Sequence, residues 1–193
     1  MNSPNRERII NIPNLFSISR ILLIPIFLYM ILNRNNIGAL IVFFIAASTD
    51  MLDGIAARLL NQKTKLGALL DPIGDKALIL AVYTILSISS IDLLNTIPSW
   101  LTIAVISRDL YIVTGVFILF KQIGQKAFPP TSLGKYCTFL QMVVLLFVLL
   151  FNALASKPGF LIWLYLLTLI LTVLSGLHYT YIGITWLKEH KSK

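Results

Sequence analysis

Four aspartates interrupt two long apolar runs at positions 50, 53, 71 and 75, in the pattern Asp50-x2-Asp53-Gly54-x2-Ala57-Arg58-x8-Gly67-x3-Asp71-x3-Asp75. Asp50 and Asp53 are three residues apart and Asp71 and Asp75 four apart, so each pair lies on one face of a helix. The polar link Asn61-Gln62-Lys63-Thr64-Lys65 lets the two arms pack as an antiparallel hairpin, which brings the four carboxylates face to face. Like charges at that range repel, and membrane depth raises the cost. An all-oxygen cluster suits hard divalent ions, Mg²⁺ or Mn²⁺. Two such ions side by side clamp a pyrophosphate and polarise the phosphorus under attack. Gly54 and Gly67 stand beside the acids, where a missing Cβ admits a ligand or the facing helix. A single aspartate in an apolar helix is ordinarily a satisfied structural group; four, with two glycines and an arginine between them, are not accounted for that way.

The elements that must carry these residues are apolar. The chain has 193 residues, 57% of them hydrophobic and 12% charged, with a mean hydropathy of +0.84. That is a membrane composition and predicts one all-α domain over 1–193. Six apolar spans are expected at about 14–32, 37–60, 66–89, 98–120, 132–154 and 158–187, each near the roughly 20 residues that cross the hydrocarbon. Asn14 is placed to cap the first, and Pro98 to occupy the first turn of the fourth. The polar start, with Arg6, Glu7 and Arg8, reads as a segment at the membrane surface. The first apolar run carries Arg20 and Pro25 and lacks a small-residue cleavage site, so no cleaved leader is expected. One cysteine, Cys137, excludes an internal disulfide framework.

Net charge is +8, but the basic residues sit in short loops rather than on a nucleic-acid-binding patch. Arg6, Arg8, Arg58, Lys63, Lys65, Lys121, Lys126, Lys188, Lys191 and Lys193 fall on one side of a six-span arrangement, and only Arg34 and Lys157 on the other. That bias predicts a multi-pass protein of the cell (inner) membrane with both termini and the aspartate hairpin towards the cytoplasm. Arg20, Lys76, Arg108, Asp109 and Lys135 also fall within or beside the spans, where charged residues face an interior cavity. Arg108 and Lys135 suit an anionic phosphate or lipid headgroup. Lys76 is read equally as a snorkelling, a structural or a catalytic residue. As sequence neighbours, Arg108 and Asp109 are expected to face different ways. Tyr179 and Tyr181 read as interfacial anchors, and His178 is not read as a ligand.

The aspartate run resembles, at every defined position, the signature of the CDP-alcohol phosphatidyltransferase family. Ile12-Pro13-Asn14 followed by Arg20, and Asp71-Pro72-x-x-Asp75-Lys76, resemble its glycerophospholipid branch, the cardiolipin and phosphatidylglycerophosphate synthases. The resemblance implies six transmembrane helices, a homodimer, and CDP-diacylglycerol bound from the bilayer. It implies Asp50, Asp53, Asp71 and Asp75 as ligands of two divalent cations. Arg58, with room made by Gly54 and Ala57, would hold the CDP portion, and Asp75 is the candidate general base. Ser107-Arg108-Asp109 and Leu133-Gly134-Lys135 with Thr138-Phe139 are similar to the cardiolipin synthase type. Phosphatidylglycerophosphate synthases typically carry two more cations, at positions held here by Val116 and Cys137. Phosphatidylglycerol is therefore the expected acceptor, with glycerol 3-phosphate as the alternative. A transporter or proton relay would also carry buried carboxylates, but this chain gathers its motif acids in one hairpin rather than through the membrane's depth. A plain scaffold leaves them unexplained.

Overall fold

A computed structural model describes residues 12–60, 65–123 and 131–191, and the side chains of 19, 21–49, 76–88, 90–115 and 131–185. Among the described residues the chain forms six long helices: α1 (Ile12–Leu32), α2 (Asn36–Leu60), α3 (Lys65–Ser87), α4 (Ser99–Ile123), α5 (Ser132–Ala153) and α6 (Leu161–Lys191). The all-α expectation holds, and each helix overlaps its expected span. α1 begins at Ile12, which puts Asn14 inside its first turn rather than at its cap. α4 begins at Ser99, so Pro98 precedes the helix and its carbonyl accepts from Leu101 and Thr102 N–H. α3 ends at Ser87, two residues before the expected end at about Ser89, and a short 3-10 turn, Ser89–Ile91, follows it.

Local chemistry sets several of these boundaries. Asn35 caps α2, its side-chain oxygen accepting from Gly38 N–H at 2.9 Å, and Thr131 caps α5 by accepting from Gly134 N–H at 3.1 Å. α1 and α5 end in the same type of turn. Asn35 N–H reaches Met30 O past Arg34, and Ser156 N–H reaches Phe151 O past Ala155. Arg34 and Ala155 sit at φ 57 and 49, a position that favours glycine.

α1 packs against α2 and α3, α6 against α4 and α5, and α2 and α3 join the two groups through α5 and α4. Phe27, Ile31, Phe43, Val82, Tyr83, Leu86, Leu101, Val105, Leu145 and Leu149 fill the core. Polar groups share this interior: Asn95, Thr102, Gln141, Asn152, Thr168, Thr172 and Ser175 are buried. Asn152 accepts from Asn95 N–H at 2.7 Å and donates to Asn95 O at 2.9 Å, clasping α5 to the segment before α4. The outer surface is apolar instead, with Leu22, Tyr29, Phe44, Ile103, Leu110, Trp163, Ile170 and Leu177 exposed. Among the described residues two segments are long and apolar enough to cross a bilayer, Ser132–Ala153 and Leu161–Thr185.

Candidate active site

Asp50, Asp53, Gly54, Ala57 and Arg58 fall in the last three turns of α2, and Gly67, Asp71 and Asp75 in the first three of α3. Five Cα steps separate the end of α2 from the start of α3, which limits the distance between those ends to about 18 Å. Both helices pack against α1, which carries Arg20. The side chains of these nine positions lie outside the described residues, as does the link 61–64. Their donor set is four carboxylates, a chemistry that fits hard divalent cations. Among the described residues no three His, Cys, Asp or Glu side chains converge.

One residue beyond Asp75 a buried ion network begins. Lys76 on α3 places its Nζ 2.6 Å from Asp109 Oδ2 on α4. The other carboxylate oxygen, Oδ1, accepts from Arg108 Nη1 at 2.7 Å. Arg108 Nη2 donates to Ser175 Oγ on α6, and the guanidinium lies 5.8 Å from the centre of the Tyr179 ring. Arg108 and Asp109 are both buried. This corrects the expectation that the two neighbours face different ways, because a long arginine side chain folds back along the helix to meet the carboxylate beside it. Of the readings open for Lys76, this bond supports the structural one: the side chain bridges α3 to α4.

Among the described residues the network carries two cations and one carboxylate, and Arg108 Nε is buried with no hydrogen-bond partner. Lys135, one turn into α5, is exposed and forms no ion pair among the described residues. The two predicted cations thus stand differently, Arg108 held from three sides and Lys135 open.

Tyr179 links Arg108 to the start of α5. Its hydroxyl accepts from the backbone N–H of Thr131 at 3.3 Å, at the start of α5. Tyr181, two residues on, is exposed as an interfacial anchor would be, whereas Tyr179 turns inward. Ser175, Tyr179 and Thr131 were missed as site residues. A signal was present: Thr168, Thr172, Ser175 and Tyr179 recur at intervals of four, three and four, a polar stripe on one face of α6. Cys137, where a further cation would stand in the other acceptor class, is fully buried, its Sγ 3.5 Å from Thr172 Oγ1.

A family model described as CDP-alcohol phosphatidyltransferase matches residues 10–174. A Mycobacterium tuberculosis protein provisionally named a cardiolipin synthase is 37% identical over 140 residues, covering 72% of this chain and 64% of its own length. An Aquifex aeolicus protein named CDP-diacylglycerol–glycerol-3-phosphate 3-phosphatidyltransferase is 36% identical over 145 residues, covering 74% of this chain and 77% of its own. Rattus norvegicus cardiolipin synthase (CMP-forming) is 43% identical over 127 residues, covering 65% of this chain and 39% of its own. The chain spans less than two thirds of the mycobacterial and rat relatives.

Proposed function

The chain belongs to the CDP-alcohol phosphatidyltransferase family, and from that premise we propose that it moves the phosphatidyl group of CDP-diacylglycerol to a glycerol-type acceptor, releasing CMP. The aspartate run carries this reading: two carboxylate pairs at the joined ends of α2 and α3, one residue from the Lys76–Asp109–Arg108 network. Asp50, Asp53, Asp71 and Asp75 would hold two divalent cations, Mg²⁺ or Mn²⁺, which supply Lewis-acid polarisation of the pyrophosphate. Arg58, with Gly54 and Ala57 leaving room beside it, holds the CDP portion. The acceptor hydroxyl attacks the β-phosphorus, which bears the diacylglycerol. A new O–P bond forms, the bond from that phosphorus to the bridging oxygen breaks, and CMP leaves with that oxygen. Asp75 takes the hydroxyl proton. Arg108 and Lys135 face the anionic part of the acceptor, with Arg20 a further cation for the substrates.

Phosphatidylglycerol is the acceptor this reading favours, giving cardiolipin. It carries one negative charge and reaches the site along the bilayer, whereas glycerol 3-phosphate presents a dianion that needs more fixed cations. Burial of Cys137 supports this choice, since that position offers the site no charge. Glycerol 3-phosphate is the second reading, favoured by the name of the Aquifex relative. The enzyme sits as a homodimer in the cell membrane, with six spanning helices and its active site towards the cytoplasm; the apolar exterior of the bundle supports that setting. Thin-layer analysis of products, with each acceptor offered separately alongside CDP-diacylglycerol, tests the choice. Cardiolipin from phosphatidylglycerol is the expected product; ready synthesis of phosphatidylglycerophosphate with no cardiolipin reverses the assignment.

A further inference from the structure

We infer that Tyr179 is a positioning residue of the acceptor site, fixing Arg108 on α4 and the first turn of α5, where Lys135 stands, in relation to each other. This rests on the reading above that Arg108 and Lys135 receive the anionic part of the acceptor. The face of the ring holds the guanidinium at 5.8 Å, and its hydroxyl accepts from Thr131 N–H at 3.3 Å. Asp109 and Ser175 hold the two terminal nitrogens of Arg108, so the ring completes its enclosure and leaves Nε without a partner.

Gly134 gives the contact its second support. A Cβ added there would stand 3.1 Å from the Tyr179 hydroxyl oxygen, 3.2 Å from the ring carbon Cε2 and 3.1 Å from Thr131 Oγ1. Absence of a side chain at Gly134 is what lets the phenol lie against the start of α5. The glycine of the Leu133-Gly134-Lys135 run is therefore a close-approach residue for α6, and Lys135 follows it directly. One residue on, α6 meets α4 again where the Tyr111 and Thr180 hydroxyls lie 2.9 Å apart. Tyr179 thus stands where α4, α5 and α6 meet, touching both Arg108 and the α5 cap.

The ring and the hydroxyl are separable. Tyr179→Phe keeps the ring over Arg108 and removes the bond to Thr131; Tyr179→Leu removes both. The full chain, purified in detergent, is assayed for CMP release with the KM for CDP-diacylglycerol and for phosphatidylglycerol measured separately in mixed micelles, and likewise for glycerol 3-phosphate. Tyr179→Leu is expected to raise the acceptor KM about tenfold and Tyr179→Phe about threefold, with the CDP-diacylglycerol KM within about twofold of wild type. Equal rises in both KM values, or a fall in kcat alone, overturn the proposal. Should Tyr179→Leu fail to fold, Tyr179→Phe decides by the same split, and an unchanged ratio overturns it. Arg108→Gln separates the two layers of the reading. An unchanged acceptor KM in that variant overturns the acceptor site and this proposal with it. A raised one alongside normal Tyr179 variants overturns the role of Tyr179 alone.

Discussion

Lys76 Nζ and Asp109 Oδ2 lie 2.6 Å apart, joining the helix that carries Asp71 and Asp75 to the helix that carries Arg108. The two ends of this bond are unequal. About a third of the Lys76 side chain is exposed, but only 4% of the Asp109 side chain. Removing the carboxylate takes from Arg108 and Lys76 the counter-charge they share among the described residues, whereas removing the lysine leaves Asp109 still paired with Arg108. Asp109→Asn is therefore expected to destabilise the protein by about 3 kcal/mol, and Lys76→Met by about 1 kcal/mol. Thermal unfolding in detergent checks the order; a larger loss in Lys76→Met contradicts it.

Asp53→Asn removes one charge from a cluster that has to balance two dications. Turnover is expected to fall about a hundredfold or more, a loss of roughly 2.7 kcal/mol of transition-state stabilisation. The protein should remain folded, since less negative charge is left to bury. Near-normal turnover at saturating Mg²⁺ rules out a two-metal site at these aspartates.

Asn152 bonds to both the backbone and the side chain of Asn95. Both residues are buried, so Asn152→Ala leaves several polar groups without partners at once. A loss of about 2–4 kcal/mol is expected, read as a lower unfolding temperature. Asn152→Asp keeps the acceptor oxygen for Asn95 N–H and should lose less if it is taken up in the neutral form.

The loop charges predict both termini on the cytoplasmic side. Reporter tags at Met1 and Lys193 should both report cytoplasm, and a tag inserted between Asn33 and Ile37 should report the opposite face. Termini on different sides would break the even number of spans.

The six helices are legible in the sequence because each is a long apolar run closed by polar or turn-forming residues. The start of α5 at Ser132 follows from Thr131 standing as its cap. Its neighbour α6 begins three residues later than expected, since Pro158 and Gly159 belong to the turn before it. The end of α3 was legible to within two residues, but the short 3-10 turn after it was not, because Ile88 and Ile91 flank Ser89 and Ser90 with no proline or glycine to mark a turn. Arg108 could be read as an interior residue from its cost in an apolar span, but its partners could not. Asp109 is adjacent in sequence and looks misplaced until the arginine folds back. Ser175 and Tyr179 lie some seventy residues away, on a helix whose aromatics resemble ordinary interface anchors.

The asparagine clasp reaches further than its own end of the bundle. α5 is tied at Asn152 to the segment before α4 and at Thr131 to α6. Those ties are 21 residues apart, a lever arm of about 30 Å. A tilt of about 4° pivoting on Asn152 swings the Thr131 end by roughly 2 Å, more than a hydrogen bond to Tyr179 tolerates. The placing of the α5 start, where Lys135 stands, is thus set partly from the opposite end of that helix, where small errors in the seating of α5 are geared up before they arrive.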